Sequence, residues 1–136
     1  MLSNHYIVVV GCGRLGGHLA NRLSEQGHGV VVIDRNKNAF AHLSDTYSGF
    51  CIEGDATEIA VLNQAKVSQA DLLISATRRD NINLMIAQVA KFCLGVPHVL
   101  VRVFNPERQE IYKELGIQTV CPTLVAAETF MSTVRE

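Results

Sequence analysis

Runs of consecutive apolar residues alternate with stretches of helical period along the whole chain. Tyr6-Ile7-Val8-Val9-Val10 is a continuous, largely β-branched run, the pattern of a strand buried on both faces. Comparable runs follow over 29–33, 49–52, 71–75, 98–103 and 118–120. Between them the period becomes helical. Leu15, Leu19 and Leu23 recur every four residues, and Gly27 stands where a helix C-terminal glycine belongs. The pattern predicts further helices over 36–46, over 57–66 with Thr57 as N-cap, over 80–94, and over 106–115 with Gly116 closing it. Pro122 marks the first turn of a last helix. Strict β-α-β alternation implies an α/β fold, a parallel sheet with helices on both faces and right-handed crossovers. Six strands in this rhythm predict a Rossmann-like, doubly wound sheet of order 3-2-1-4-5-6, in one domain over 1–136.

Composition narrows the field mainly by exclusion. Twelve Lys and Arg against thirteen Asp and Glu leave a formal charge of -1, which gives no electrostatic footprint for nucleic acid. The four cysteines (Cys12, Cys51, Cys93 and Cys121) form no C-x-x-C pair. They read as reduced, mostly buried thiols of a cytoplasmic protein. The five histidines are scattered, so no zinc site is expected. No apolar run approaches the roughly 20 residues that cross a bilayer. The first residues also lack the basic segment of a secretory leader.

The chemistry sits at the end of the first strand. Gly11-Cys12-Gly13-Arg14-Leu15-Gly16 is a complete G-x-G-x-x-G that follows a strand and opens a helix. In that setting Gly11 permits the tight turn, Gly13 lets a pyrophosphate approach the backbone, and Gly16 lets helix and strand pack closely. The helix N-terminus offers free N–H groups to an anion. Asp34, at the end of the second strand, is where such a domain places the carboxylate that binds the adenosine ribose hydroxyls. Its charge disfavours a 2′-phosphate, although Arg35 beside it is the residue type that accommodates one.

Further residues carry a resemblance. Gly54-Asp55-Ala56-Thr57 after the third strand, Ser75-Ala76-Thr77 closing the fourth, Val101-Arg102-Val103 with Asn105-Pro106, and Leu115-Gly116-Ile117 join Gly13-Arg14-Leu15-Gly16. Together they resemble the N-terminal domain of the regulator of K⁺ conductance (RCK) family. Those domains are cytoplasmic subunits or tails of Trk- and Ktr-type K⁺ transporters and related channels and antiporters. The resemblance implies a ligand that is NAD(H) or an adenine nucleotide (ATP, ADP or AMP), which Asp34 does not tell apart. It places the phosphates on Gly11, Cys12, Gly13, Arg14 and Leu15, the ribose on Asp34, and the adenine beside Asp55 and Ala56. Ala76 and Thr77 would line the cleft, with Arg102 and Arg14 offering positive charge, Arg14 also to a neighbouring subunit. Some relatives carry Pro-Glu after the sixth strand, implicated in cation binding; Pro122-Thr123 stands there, so no metal site is carried over. Relatives usually continue into a second, smaller lobe.

Other residues have plainer readings. Cys12 is expected to be packed away as a small apolar residue. Arg78-Arg79 would either clamp an anion at the cleft mouth or be solvated loop charges. The 80–94 segment and the last helix are apolar over more than one face, which predicts a homodimer; the resemblance also permits a larger ring and a membrane-embedded K⁺ transporter or channel subunit as partner. The alternative function is the cofactor-binding part of an NAD-dependent oxidoreductase. It is disfavoured because no acid–base constellation is visible and no residues remain for a substrate domain.

Overall fold

A strand buried on both faces must send alternate side chains into two separate hydrophobic layers, and the central strands do so. The computed structural model describes residues 4–135. Its strands are β1 (Tyr6–Val10), β2 (Gly29–Asp34), β3 (Phe50–Glu53), β4 (Leu72–Ser75), β5 (His98–Arg102) and β6 (Gln118–Val120). They form one six-stranded sheet in the order β3-β2-β1-β4-β5-β6, every pair parallel. The expected strand order and fold class are what the structure shows. Central β1 sets Val8 beside Val31 of β2 and Leu73 of β4.

The helices are α1 (Arg14–Glu25), α2 (Ile59–Gln64), α3 (Asp80–Gln88), α4 (Gln109–Glu114) and α5 (Pro122–Arg135). Ile7, Val9, Val30, Val32 and Ile74 face α1 and meet Ala20, with Leu19 and Leu23 against them. Val8, Val10, Val31, Ile33, Leu73, Val99 and Val101 point the other way, onto Leu62, Ile86, Ala87 and Tyr112 of α2, α3 and α4. Each fully buried Val, Leu or Ile contributes roughly 1.5–3 kcal/mol. The half-exposed His5–Asp71 ion pair at 3.7 Å contributes less than about 1 kcal/mol. Apolar layering, not surface charge, holds the sheet.

Several expected helices differ in detail. The helix expected over 36–46 is a 3-10 turn at Lys37–His42, after which Leu43 returns to extended backbone. Asn21 of α1 decides this: its side chain accepts from the Ser44 amide at 2.9 Å and donates to the His42 carbonyl at 3.1 Å. Thr57 is not an N-cap. Its amide and hydroxyl both donate to Asp55 Oδ1, at 2.9 and 2.6 Å, and this local turn defers α2 to Ile59. The 80–94 helix widens after Gln88 into a π-helical turn, Val89–Cys93. The 106–115 helix opens as a 3-10 turn, Pro106–Arg108, before α4. α5 forms where expected but buries none of its residues.

The approach of α1 to β1 leaves no room for a side chain at Gly16. A Cβ there would lie 1.7 Å from the Gly11 carbonyl oxygen. Gly16→Ala is therefore expected to destabilise the domain by about 3 kcal/mol, the upper part of the range for overpacking, read as a lower urea midpoint at unchanged slope.

Candidate functional site

In the order 3-2-1-4-5-6, the connections leave β1 and β4 in opposite directions, and a crevice opens above their C-terminal ends. A cleft of about 860 Å³ lies there. Five strand ends supply its walls: the loop Gly11 and Gly13–Leu15 after β1, Asp34 and Arg35 at β2, Gly54, Asp55 and Ala56 after β3, Ala76 to Arg79 after β4, and Arg102 at β5. The sequence-derived site residues converge on this cleft, with one exception. Cys12 does not line it.

The three loop glycines differ in what demands them. Gly11 has φ of +97°, and a Cβ would sit 2.8 Å from the Ala76 carbonyl oxygen; its amide donates to the Ile33 carbonyl at 2.8 Å. Gly16 is required by the helix–loop contact. Gly13 has an ordinary φ of -78°, and a Cβ there would meet nothing within 4 Å. No contact within the chain requires glycine at position 13; what a side chain would occupy is space at the cleft. Directly behind it α1 starts with no side-chain cap and no acidic residue in its first turn. Its leading N–H groups and the positive end of its dipole therefore face the cleft.

Asp34 ties this loop to β2. Its Oδ2 accepts from the Cys12 amide and its Oδ1 from the Asn36 amide, both at 2.8 Å. Each carboxylate oxygen keeps a lone pair for a further donor. The same bond commits the Cys12 amide, and the Cys12 side chain is 0% exposed. Burial first, then the charge of Asp34, pushes its thiol up to about 11. At the same end of the cleft, after the neighbouring β3, the Thr57 hydroxyl and then its amide hold the Asp55 carboxyl below the usual carboxylate range, with Arg35 adding to the effect.

The opposite end is basic. Arg78, Arg79 and Arg102 line it. The Arg102 guanidinium lies over the Phe104 ring, 4.2 Å from its centroid, and its Nε is buried without a hydrogen-bond partner. Asn83, fully buried in α3, organises this end. Its Oδ1 accepts from Ser75 Oγ at 3.1 Å, the Thr77 amide at 3.0 Å and Thr77 Oγ1 at 2.6 Å. Its Nδ2 donates to the carbonyls of Thr77 and Arg102, both at 3.0 Å. Sequence reasoning missed Asn83, although the signal was present: it shares the 83, 86, 87, 90 face whose other members are core residues. It also missed Asn36, Asn38 and His42, which line the cleft from the segment expected to be a regular helix.

Parallel doubly wound sheet, glycine loop, free helix N-terminus and a carboxylate at the end of β2 define a Rossmann-like domain of the nucleotide-binding type. The family model of the TrkA-N domain matches residues 7–123, and the chain belongs to that family. It is 36% identical over 126 residues to the Trk system potassium uptake protein TrkA of Streptomyces coelicolor, covering 93% of this chain and 56% of that protein. To the TrkA homolog of Pyrococcus abyssi it is 34% identical over 110 residues, covering 81% and 48%. The chain thus spans about half the length of these curated relatives.

Solved structures below 25% identity share the fold. The TrkA-N domain of the Escherichia coli inner membrane protein ybaL superposes with a TM-score of 0.85 at 19% identity, covering 98% of both chains. The Shewanella denitrificans Kef C-terminal domain in its AMP-bound form gives 0.79 at 22%, covering 92% and 76%. The GsuK channel bound to NAD gives 0.70 at 24%, covering 87% and 21%.

The cysteines, expected to be mostly buried, divide evenly: Cys12 and Cys121 lie in the core, whereas Cys51 and Cys93, on β3 and the π-helical turn, are exposed, and the difference offers a check on the loop's packing. With its thiol near 11, about one Cys12 in a thousand would be ionised at pH 8, and the thiolate is the reacting form. Iodoacetamide at pH 8 is expected to modify the exposed Cys51 and Cys93 and to spare the buried Cys12 and Cys121. Intact mass before and after urea would show two adducts becoming four.

Proposed function

We propose that this chain is a nucleotide-sensing regulatory domain of a potassium transporter or channel, binding NAD(H) or an adenine nucleotide (ATP, ADP or AMP) without doing chemistry on it. The observation that carries the reading is Gly13, a glycine that no contact within the chain requires, at the floor of a cleft beside an uncapped helix N-terminus. A phosphate seated there would meet backbone N–H groups at the distance a Cβ would prevent. Asp34 would accept the ribose hydroxyls with its remaining lone pairs. Asp55 and Ala56 would border the adenine. Arg14 and Arg102 would answer the phosphate charge.

Regulation follows from pairing. Leu124, Val125, Phe130, Met131 and Val134 of α5 are exposed, as are Met85 and Phe92 on the outer side of the α3 segment. A helix of this length without packing partners is marginal in water. A second copy covering these faces would give it a core, and the pair could extend to a ring. Nucleotide occupancy then gates K⁺ movement if the ligand prefers one geometry of the pair over another. The path for K⁺ would belong to a membrane-embedded partner subunit, with this domain on the cytoplasmic side. The names of the relatives agree with such a role: Trk potassium uptake proteins, and a GsuK channel described with NAD and with ADP.

The test is calorimetric titration with NADH, NAD⁺, NADPH, ATP, ADP and AMP, on the wild type and on Gly13→Ala. Asp34→Ala is the less discriminating variant, because it also releases the Cys12 amide. Gly13→Ala should leave stability within about 1 kcal/mol of the wild type, because the entropy removed from the unfolded chain is offset by the poorer helix N-cap that alanine makes, and should lose nucleotide affinity at least about tenfold. NADPH should bind more weakly than NADH. Failure of every nucleotide to bind the wild type would overturn the reading. Light scattering at tens of micromolar is expected to give a dimer or a larger ring, and a monodisperse monomer would remove the pairing.

A further inference from the structure

The β4–β5 ladder stops short at the cleft. Its last pair is Ser75 with Val101. One more step of the same register would set Ala76 beside Arg102 and send the Thr77 N–H to the Arg102 carbonyl. Instead the Thr77 amide donates to Asn83 Oδ1, and Asn83 Nδ2 donates to the Arg102 carbonyl, both at 3.0 Å. On the other side of β4 the pairing runs on, since the Ala76 amide donates to the Val10 carbonyl at 2.8 Å. A side-chain amide from α3 has therefore entered one bond of the sheet, on the β5 side of β4 alone. We infer that Asn83 is a positioning residue of the cleft: its carboxamide stands within what would be the next β4–β5 hydrogen bond and holds Thr77 and Arg102 apart.

A carboxamide is what this place asks for. The gap presents a donor on one side and an acceptor on the other, and Asn83 answers with an acceptor and a donor. Its remaining capacity serves the same wall. Oδ1 also accepts from Ser75 Oγ and Thr77 Oγ1, at 3.1 and 2.6 Å, and Nδ2 also donates to the Thr77 carbonyl at 3.0 Å. Thr77 thus has its amide, hydroxyl and carbonyl on one side chain, and its hydroxyl in turn accepts from the Arg79 amide at 3.2 Å. An ionised carboxylate would have no proton for either carbonyl, and an apolar side chain would leave these groups unpaired. Asn83 and Ser75 are both fully buried, where an unmade bond costs most.

Thr77 and Arg102 line the cleft, whereas Asn83 does not. Asn83 therefore acts on a ligand through them. Without the amide, the Thr77 N–H and the Arg102 carbonyl would be free to make the missing ladder bond, and the wall between β4 and β5 would draw together. One side-chain amide thus sets the width of this end of the cleft. Its effect on binding rests on the nucleotide reading above; its place in the sheet does not.

Two measurements test the inference. The first needs no ligand. Scalar couplings across hydrogen bonds, read by NMR on the wild type, should link the Thr77 amide nitrogen to the Asn83 side-chain carbonyl, and Asn83 Nδ2 to the Arg102 carbonyl. A direct coupling between the Thr77 amide and the Arg102 carbonyl, or neither link in a spectrum that shows the sheet's other bonds, would overturn it. The second titrates ATP, ADP, AMP and NADH into the wild type, Asn83→Ala, Asn83→Asp and Ser75→Ala, well below their melting transitions. For whichever nucleotide the wild type binds, Asn83→Ala should lose at least about tenfold, while Ser75→Ala, which leaves the inserted amide, stays within about twofold. Asn83→Asp is the conservative rescue. Its neutral acid keeps one O–H donor for the Arg102 carbonyl, and burial favours that form at low pH. Its affinity relative to the wild type at the same pH should be close to equal at pH 5 and fall at least about tenfold by pH 8. Unchanged affinity in folded Asn83→Ala, an equal loss in Ser75→Ala, or a pH-independent ratio for Asn83→Asp would each overturn the positioning role. If Asn83→Ala does not fold, the Asn83→Asp profile decides. If no nucleotide binds the wild type while both couplings are present, the nucleotide reading fails and the inserted amide stands.

Discussion

Everything at the cleft depends on how closely α1 can begin to the end of β1. The Gly11 carbonyl occupies the space a Gly16 side chain would need, and Gly11 itself lies within contact of the Ala76 backbone. Three chain segments therefore meet with no side chain between them. The loop is then locked from the other side: the Gly11 amide reaches Ile33, and the Cys12 amide reaches the Asp34 carboxylate. What remains free is the first turn of α1, pointed at the crevice where the sheet order reverses. The central strands carry the energy of the fold, and this one close approach turns their ends into a site.

That division explains what could be read in advance. Strands such as Tyr6–Val10 have an unambiguous signature, because burial on both faces demands an apolar residue at every position. With the strands placed, the doubly wound order and the glycine loop follow from general rules of chain connection. Misreadings arose where a distant or neighbouring polar side chain outcompeted helical backbone bonds. Asn21 drew the 42–44 backbone out of a helix, an interaction between segments far apart in sequence. Asp55 captured Thr57, so a residue chosen as a cap became part of a turn. Cys12, placed with the phosphate loop by the family resemblance, is packed away as its plainer reading expects, and its amide serves Asp34. Asn83 looked like one more polar residue in a helix. Its importance appears only when β4 and β5 are side by side.

The hydrogen bonding of the acidic residues bears on binding against catalysis. Asp34 already accepts two backbone amides, and Asp55 accepts both donors of Thr57. Such bonds hold each carboxylate in place, and those from Thr57 favour the ionised form of Asp55. A general base needs a pKa near the working pH, whereas a depressed carboxylate such as Asp55 is a fixed acceptor. Fixed acceptors suit recognition of hydroxyl groups. The arginines at the other end are likewise permanent charges. A cleft furnished in this way offers fixed acceptors at one end and fixed positive charge at the other.

Recognition becomes regulation only if something beyond the cleft responds, and α3 is placed to do so. Asn83 puts the helix in direct hydrogen-bond contact with the loop after β4 and the end of β5. On the outer side of the same segment Met85 and Phe92 are exposed, and its helical ladder is interrupted by the π turn at Val89–Cys93. An anion bound between Thr77 and Arg102 would act on two groups that share one amide. Because every hydrogen-bonding capacity of that amide is engaged, it cannot follow both partners and must move with the helix or lose a bond. The buried amide is therefore the one side chain that ties the loop after β4 and the end of β5 to the helical segment whose outer side exposes Met85 and Phe92.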